Sequence, residues 1–386
     1  MLRLAITLIL SMMLATAFPA AANADLDLSL DIDASAATVV PDSVNMPRDV
    51  RYSWKQLLRQ RRLKVNDESI EYPPFIDFCL RVYRWAEDNF NTYNPDYVAG
   101  TGKHGKVRLV SDNWTDTYLV EFSSGKPLFM ASNLYCNIGF QANYSILSLS
   151  YSVDMNSLLS DRTAQHKKLG FSFSCSRIYA DAYYWKNTGT TKIRQIDLGS
   201  DKDKQYEDVP FDGLSFRAYG AMAFYIFNYS RFSFAAAYNL SNYQLRSQGS
   251  WMLGTSVTRY DCSFDFTKLP EYILENSKVP KETYRLNYNS VNVTGGYSFN
   301  WVMNRHLLFN TTTLPGFGVS FSHSDSTTGH RTLFSLAVRQ MLSLTYTNRQ
   351  FFITANSSFH GNLLPTTGMR FNSGIVNFQV STGVRF

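Results

Sequence analysis

Beyond its first 24 residues the chain has no hydrophobic run long enough to span a bilayer as a helix, which takes about 20 largely apolar residues. Charge is scarce too. Asp, Glu, Lys and Arg make up 18% of the 386 residues, against roughly 25% in an average soluble domain. The four cysteines, Cys79, Cys136, Cys175 and Cys262, form no C-x-x-C pair, and none sits near a leader-cleavage point, which argues against a lipoprotein. Ala99 to Gly105 (AGTGKHG) lacks the G-x-x-x-x-G-K-[ST] spacing of a phosphate loop. These absences leave strands as the way for the body of the chain to cross a membrane.

Aromatic residues are plentiful: 24 Tyr, 28 Phe and 6 Trp, together 15%. Barrels carry such a load because aromatic girdles mark both water–lipid interfaces. Residues 1–24 read as a secretory signal, with Arg3 at its positive end, an apolar run over Leu4 to Ala17 and an A-x-A site before Asp25. The net charge of +6 falls by one with Arg3. In an exported protein, that modest positive balance suits outer-membrane lipid and lipopolysaccharide, not nucleic acid.

The last stretch, FQVSTGVRF, alternates without a break. Phe378, Val380, Thr382, Val384 and Phe386 share one side, and Gln379, Ser381, Gly383 and Arg385 the other. Phe378, Val380, Val384 and Phe386 read as the barrel-closure signal for outer-membrane assembly machinery. The same two-residue period recurs in Asn292 to Trp301, in Phe232 to Leu240 and in Phe334 to Tyr346. One face of each is apolar and the other carries Ser, Thr, Asn, Gly or Arg, with hardly any Lys or Glu. A soluble sandwich would show charge there.

Connections alternate in length. Short turns are expected near Asn143–Ile146, Asn228–Arg231, Met303–His306 and Thr347–Gln350. Longer links are expected at Asn156–Lys168, Thr188–Asp212, Asp265–Asn287, Ser322–Arg331 and His360–Arg370. The fold class is all-β, an antiparallel transmembrane β-barrel of about twelve strands, with ten to fourteen allowed because the alternation slips somewhere between Phe211 and Asp265. The domains are signal peptide 1–24, a linker and amphipathic helical periplasmic region 25–115, and an outer-membrane barrel 116–386. Helical spacing occupies Trp54–Lys64 and Phe75–Phe90. Cys136 and Cys175 alternate in phase with apolar neighbours, so free thiols facing lipid are favoured over disulfides.

Several stretches carry a family resemblance: Phe78–Lys103, Leu147–Met155, Gly170–Trp185, Ala235–Trp251, Gly295–Trp301 and the final GVRF. In these the chain resembles an uncharacterised outer-membrane barrel family of Bacteroides-like bacteria, known as a domain of unknown function. The resemblance implies a barrel and export from a Gram-negative cell, and brings no activity with it.

No cofactor signature and no standard metal spacing appears. Of six histidines, His360 and His323 are the weak catalytic candidates, as bases of a lipid-modifying hydrolase or transferase. Arg217, Arg339 and Arg385 are expected to face the lumen, pairing with carboxylates such as Asp154 or Asp181. The expected role is a narrow channel, transport-associated for a small-molecule or ion solute, or a structural envelope barrel. The alternatives are the lipid-modifying enzyme and an adhesion or receptor barrel acting through its outer loops.

Overall fold

The computed structural model describes residues 92–386 apart from 104, 123–126, 145–146, 156–165, 188–190, 198–204, 207–208, 278–280, 326–331, 349 and 367–368, together with 52–53 and 70–71. The leader, the Asp-rich lead, both expected N-terminal helices and Cys79 lie outside the described residues. Within the separate unit Asn23–Thr92, Tyr52–Ser53 pairs in parallel with Ile70–Glu71.

Strands dominate the larger unit. The wall consists of β1 Gly105–Phe122, β2 Tyr135–Tyr144, β3 Leu147–Asp154, β4 His166–Ser174, β5 Ile178–Asn187 and β6 Leu214–Ile226. It continues with β7 Gln248–Asp265, β8 Thr283–Asn304, β9 Leu307–Asp325, β10 Thr332–Thr347, β11 Phe351–Thr366 and β12 Met369–Arg385. Each pairs antiparallel with the next, and β12 pairs with β1 from Met369↔Phe122 to Arg385↔Lys106. The ring of twelve is therefore closed, which removes the exposed edges that a membrane cannot solvate. It starts at Gly105 rather than at residue 116. Leu128–Ser132 prolongs the line of β2 along β1 and pairs with Thr191–Asp197 of the long β5–β6 link.

Alternation sets what each face meets. On β8, Val291, Val293 and Trp301 are exposed, while Asn292, Thr294, Ser298 and Asn300 are buried in the lumen. Val291 to Trp301 spans ten residue steps of about 3.3 Å. At the roughly 40° tilt of such barrels this is about 25 Å, the height of a lipid-facing apolar band. The outer face of β12 shows the same span, with Val376, Phe378, Val380, Val384 and Phe386 exposed. Trp251, Trp301, Tyr346, Phe351 and Phe386 form an exposed aromatic rim at the short-turn end.

The expected short turns at Asn143–Ile146, Met303–His306 and Thr347–Gln350 join β2–β3, β8–β9 and β10–β11. Two connections differ. β11 runs on through His360 to Thr366 and β12 starts at Met369, so most of the expected long link at His360–Arg370 is strand. Asn228–Arg231 does not close a hairpin either: it opens a long link, residues 227–247. There the expected strand Phe232–Leu240 is replaced by a one-turn helix, α1 Phe234–Ala237, capped by the Ser233 side chain on Ala236 N. Every residue from Phe232 to Ala237 is buried, so apolar side chains stand on all sides of this segment and not on one face. Of the thiols, Cys136 lies on the lipid side among Ile138 and Phe140, as expected. Cys175 instead sits buried in the β4–β5 turn, where its Sγ accepts from Ile178 N. All three described cysteines are free.

Candidate functional site

The lumen is organised in three tiers. The loop-end half is filled by an apolar cluster drawn from β1, β2, β5, β6, β7, β8 and β12 together with the long links. Trp114 packs on Tyr135 at 4.5 Å and on Trp185 at 5.2 Å, and Trp185 continues to Phe216 at 5.3 Å. Ile193, Val209 and Phe211 from the β5–β6 link join the cluster. Aromatic pairs of this kind add about 0.5–1.5 kcal/mol each beyond area burial.

At the opposite, short-turn end, residues 227–247 fold into the lumen as a plug. Phe232 and Phe234 pack with Phe224, Ile226, Met252, Leu314 and Met341 of the wall. The backbone of the plug needs polar partners in this dry setting, because the last carbonyls of a helix have no acceptor role within it. The wall supplies donors from several directions. Ser343 Oγ donates to Ala237 O at 3.0 Å, and Thr345 Oγ1 to the same oxygen at 3.3 Å. Lys106 Nζ donates to Asn239 O, and Arg385 Nε to Leu240 O at 3.0 Å. Both cations meet carbonyls just past the helix C-terminus, where the helix dipole favours positive charge. Asn300 Nδ2 donates to Ser233 O at 2.9 Å and to Gln244 Oε1 at 3.0 Å. Leu240, at φ +61°, turns the chain out of the helix in the left-handed region. Within the plug segment, Asn242–Gln244 pairs with Val98–Gly100. Arg231 and Arg246 both lie over the Tyr97 ring, at 5.2 and 5.5 Å.

Between the tiers lies a chamber of about 280 Å³ with a mixed wall: Asp112, Asp181, Arg339 and His360 face it together with Trp114, Trp185 and Ile375. An adjoining cavity of about 210 Å³ is bordered by Arg108 and Gln141, and shares Tyr179, Ser358, Asn377 and Gln379 with the first. Arg339 Nη2 and Asp181 Oδ2 form an ion pair at 3.3 Å. His360 is the cross-strand neighbour of Arg339 and faces the same space.

The sequence candidates divide accordingly. Arg339 and Asp181 meet in the lumen as expected. Arg385 faces inward but holds the plug, the β10–β11 turn at Asn348 O (2.7 Å), and the Tyr243 and Phe352 rings. Arg217 does not face the lumen: Phe216 and Ala218 take the inward positions in the apolar cluster, which turns Arg217 to the exposed outer wall. Asp154 ends β3 and His323 lies near the end of β9, and the side chains of both fall outside the described residues. His360 sits in mid-strand facing inward, away from the lipid boundary where an outer-leaflet lipid enzyme needs its base. Lys106 and Arg108 belong to the lumen, although they fall in the stretch assigned to the pre-barrel region. Their signal was the alternation with the exposed Val107 and Leu109. Among the described residues no group of three or more His, Cys, Asp or Glu is placed to hold a metal ion.

The family described as "Domain of unknown function (DUF4421)" matches residues 92–386. No curated protein matches the chain. Among solved structures, the chain is similar to the outer membrane protease OmpT from Escherichia coli (7% identity, 77% of this chain and 99% of that one covered, TM-score 0.33). It is also similar to the P. putida toluene transporter TodX (9% identity, 73% and 90% covered, TM-score 0.21). A third is the beta domain of the Bordetella autotransporter BrkA (9% identity, 75% and 100% covered, TM-score 0.30).

Proposed function

Because the chain belongs to the DUF4421 family, a domain of unknown function, we propose its role from the lumen alone: a gated, transport-associated outer-membrane barrel for small polar solutes. The observation that carries this is the plug. A barrel that served only as a structural part of the envelope could fill its interior with apolar side chains, as the loop-end half does. Here a segment held largely through its backbone carbonyls closes one mouth beneath a chamber that keeps buried charge. Buried charge is costly for stability, which supports a role for the chamber in what docks or passes there.

In this reading the short turns and the N-terminal region are periplasmic, and the long links face outward. Export through the leader 1–24, a Bacteroides-like source, and contacts with lipopolysaccharide and the barrel assembly machinery belong to the same proposal. The enzyme reading weakens with His360 inside the lumen, and no observation favours the adhesion reading.

Single-channel recording of the refolded protein in planar bilayers tests the proposal. Wild type is expected to stay closed with rare brief openings. Because the apolar cluster also fills the loop-end half, the variant that tests the plug replaces residues 228–246 by a short Gly-Ser turn and also truncates Ile193, Phe211 and Phe266 of that cluster to alanine. It should conduct in sustained steps, whereas the three truncations alone should not. If the variant folds, as judged by its heat-shifted gel band, and stays silent, the gating role is wrong.

A further inference from the structure

Arg108 is 6% exposed, and the cavity of about 210 Å³ in front of it has no Asp or Glu in its wall. Its Nε donates to Gln141 Oε1 at 2.8 Å, whereas Nη1 is buried and without a hydrogen-bond partner. The other inward arginines differ. Arg339 has Asp181, and Arg385 has plug carbonyls and the Thr347 hydroxyl. Around Arg108 the wall offers neutral polar groups: Ser174, Asn356, Ser358, Asn377 and Gln379. Ser174 Oγ is itself buried with no partner.

A guanidinium presents a planar fork of donors matched to two oxygens of a carboxylate or phosphate. A buried cation with no counter-charge in the cavity before it is expensive unless something brings one. Hydroxyl and amide groups in the same wall can bond the remaining oxygens of such a ligand. We propose that this cavity is a binding site for a small oxyanion, an organic carboxylate or a phosphate, gripped by the Arg108 fork with Ser174 and the Asn377–Gln379 side as its polar surround. The inference deepens the passage reading by naming the class of solute, and rests on that reading for its biological meaning.

The test is isothermal titration calorimetry on the full chain refolded in neutral detergent micelles, with inorganic phosphate and, separately, succinate as probes at low chloride. At least one probe is expected to bind saturably at one site per chain, and the preference between them identifies which oxyanion source the site suits. Arg108→Gln should weaken binding at least ~10-fold, the loss expected when one charge-assisted contact is removed. Arg217→Gln, on the outer wall, should leave it unchanged. Should Arg108→Gln fail to fold, Arg108→Lys keeps the charge without the fork and should still bind measurably more weakly than wild type. Absence of saturable binding to either probe overturns the proposal, and so does binding by the Arg108 variants equal to wild type. The readout is independent of conductance. A silent plug-deletion variant would sink the gating role and leave the site standing, whereas loss of the site would leave gating untouched.

Discussion

Phe386 and Gly105 lock the two ends of the barrel to each other: Phe386 N donates to Gly105 O at 2.9 Å, and Gly105 N donates to Phe386 O at 3.1 Å. The Phe386 ring occupies the space that a Cβ on Gly105 would need. Gly105→Val should therefore displace the terminal ring, and because that ring is exposed and can turn aside, the strain on closure should stay below about 1 kcal/mol. The expected outcome is a smaller fraction of heat-resistant folded barrel on cold gels, with Gly100→Val, which has open space at its Cβ, as the unaffected comparison.

Arg339 and Asp181 form the ion pair beside His360. Removing one partner leaves a buried charge alone, at a cost of about 3–5 kcal/mol. Asp181→Leu should accordingly lower the urea midpoint in micelles sharply. Asp181→Leu with Arg339→Met should recover most of the loss. If the double variant proves as unstable as the single one, the pair is not what the chamber depends on.

Asn300 anchors the plug through Ser233 O and Gln244 Oε1. Asn300→Ala removes two donors from the plug while Gln244 Oε1 keeps Ser233 N and Ser233 O keeps Ala236 N, so it should loosen the plug by about 0.5–1.5 kcal/mol. More frequent openings in bilayer recordings are expected, with the unfolding midpoint of the wall little changed. An identical opening frequency would assign the hold on the plug to Lys106, Arg385 and the serine–threonine pair of β10.

Burial pushes the Cys175 thiol above the usual cysteine range, against hydrogen bonds from the turn backbone that lower it. The thiolate is the reactive form, so in the folded protein Cys175 should resist maleimide at pH 7 and react readily after denaturation. A raised acid favours the folded state most where it is protonated. Its contribution is full below the ordinary thiol range and fades as pH rises through it. Mass spectrometry of labelled peptides across pH 7 to about 10 checks both; rapid labelling of native Cys175 at pH 7 would contradict the buried turn.

What the sequence made legible was the wall, because a half-buried strand writes its two faces as a period of two. β8, β10 and β12 show this most plainly, down to the exposed Phe378, Val380, Val384 and Phe386. The plug was misread for the same reason. Phe232, Phe234 and Ala236 alternate like a strand, and short apolar runs do not distinguish extended chain from a buried helical turn. Asn and Ser at both flanks, with three alanines between, were the signals available. Arg217 was placed inside by its charge, when its neighbours Phe216 and Ala218 decide the phase. The pairing of Arg339 with Asp181 spans 158 positions and depends on the ring of strands, which local pattern does not encode.

The plug hangs between two adjacent staves, β6 and β7, and has no free end of its own. Both of its tethers reach the same rim, so it can swing clear of the mouth and return without leaving the vessel, like a stopper on a short leash. Whatever unseats it must strain those two leashes, and whatever lets go leaves the stopper within reach of its seat.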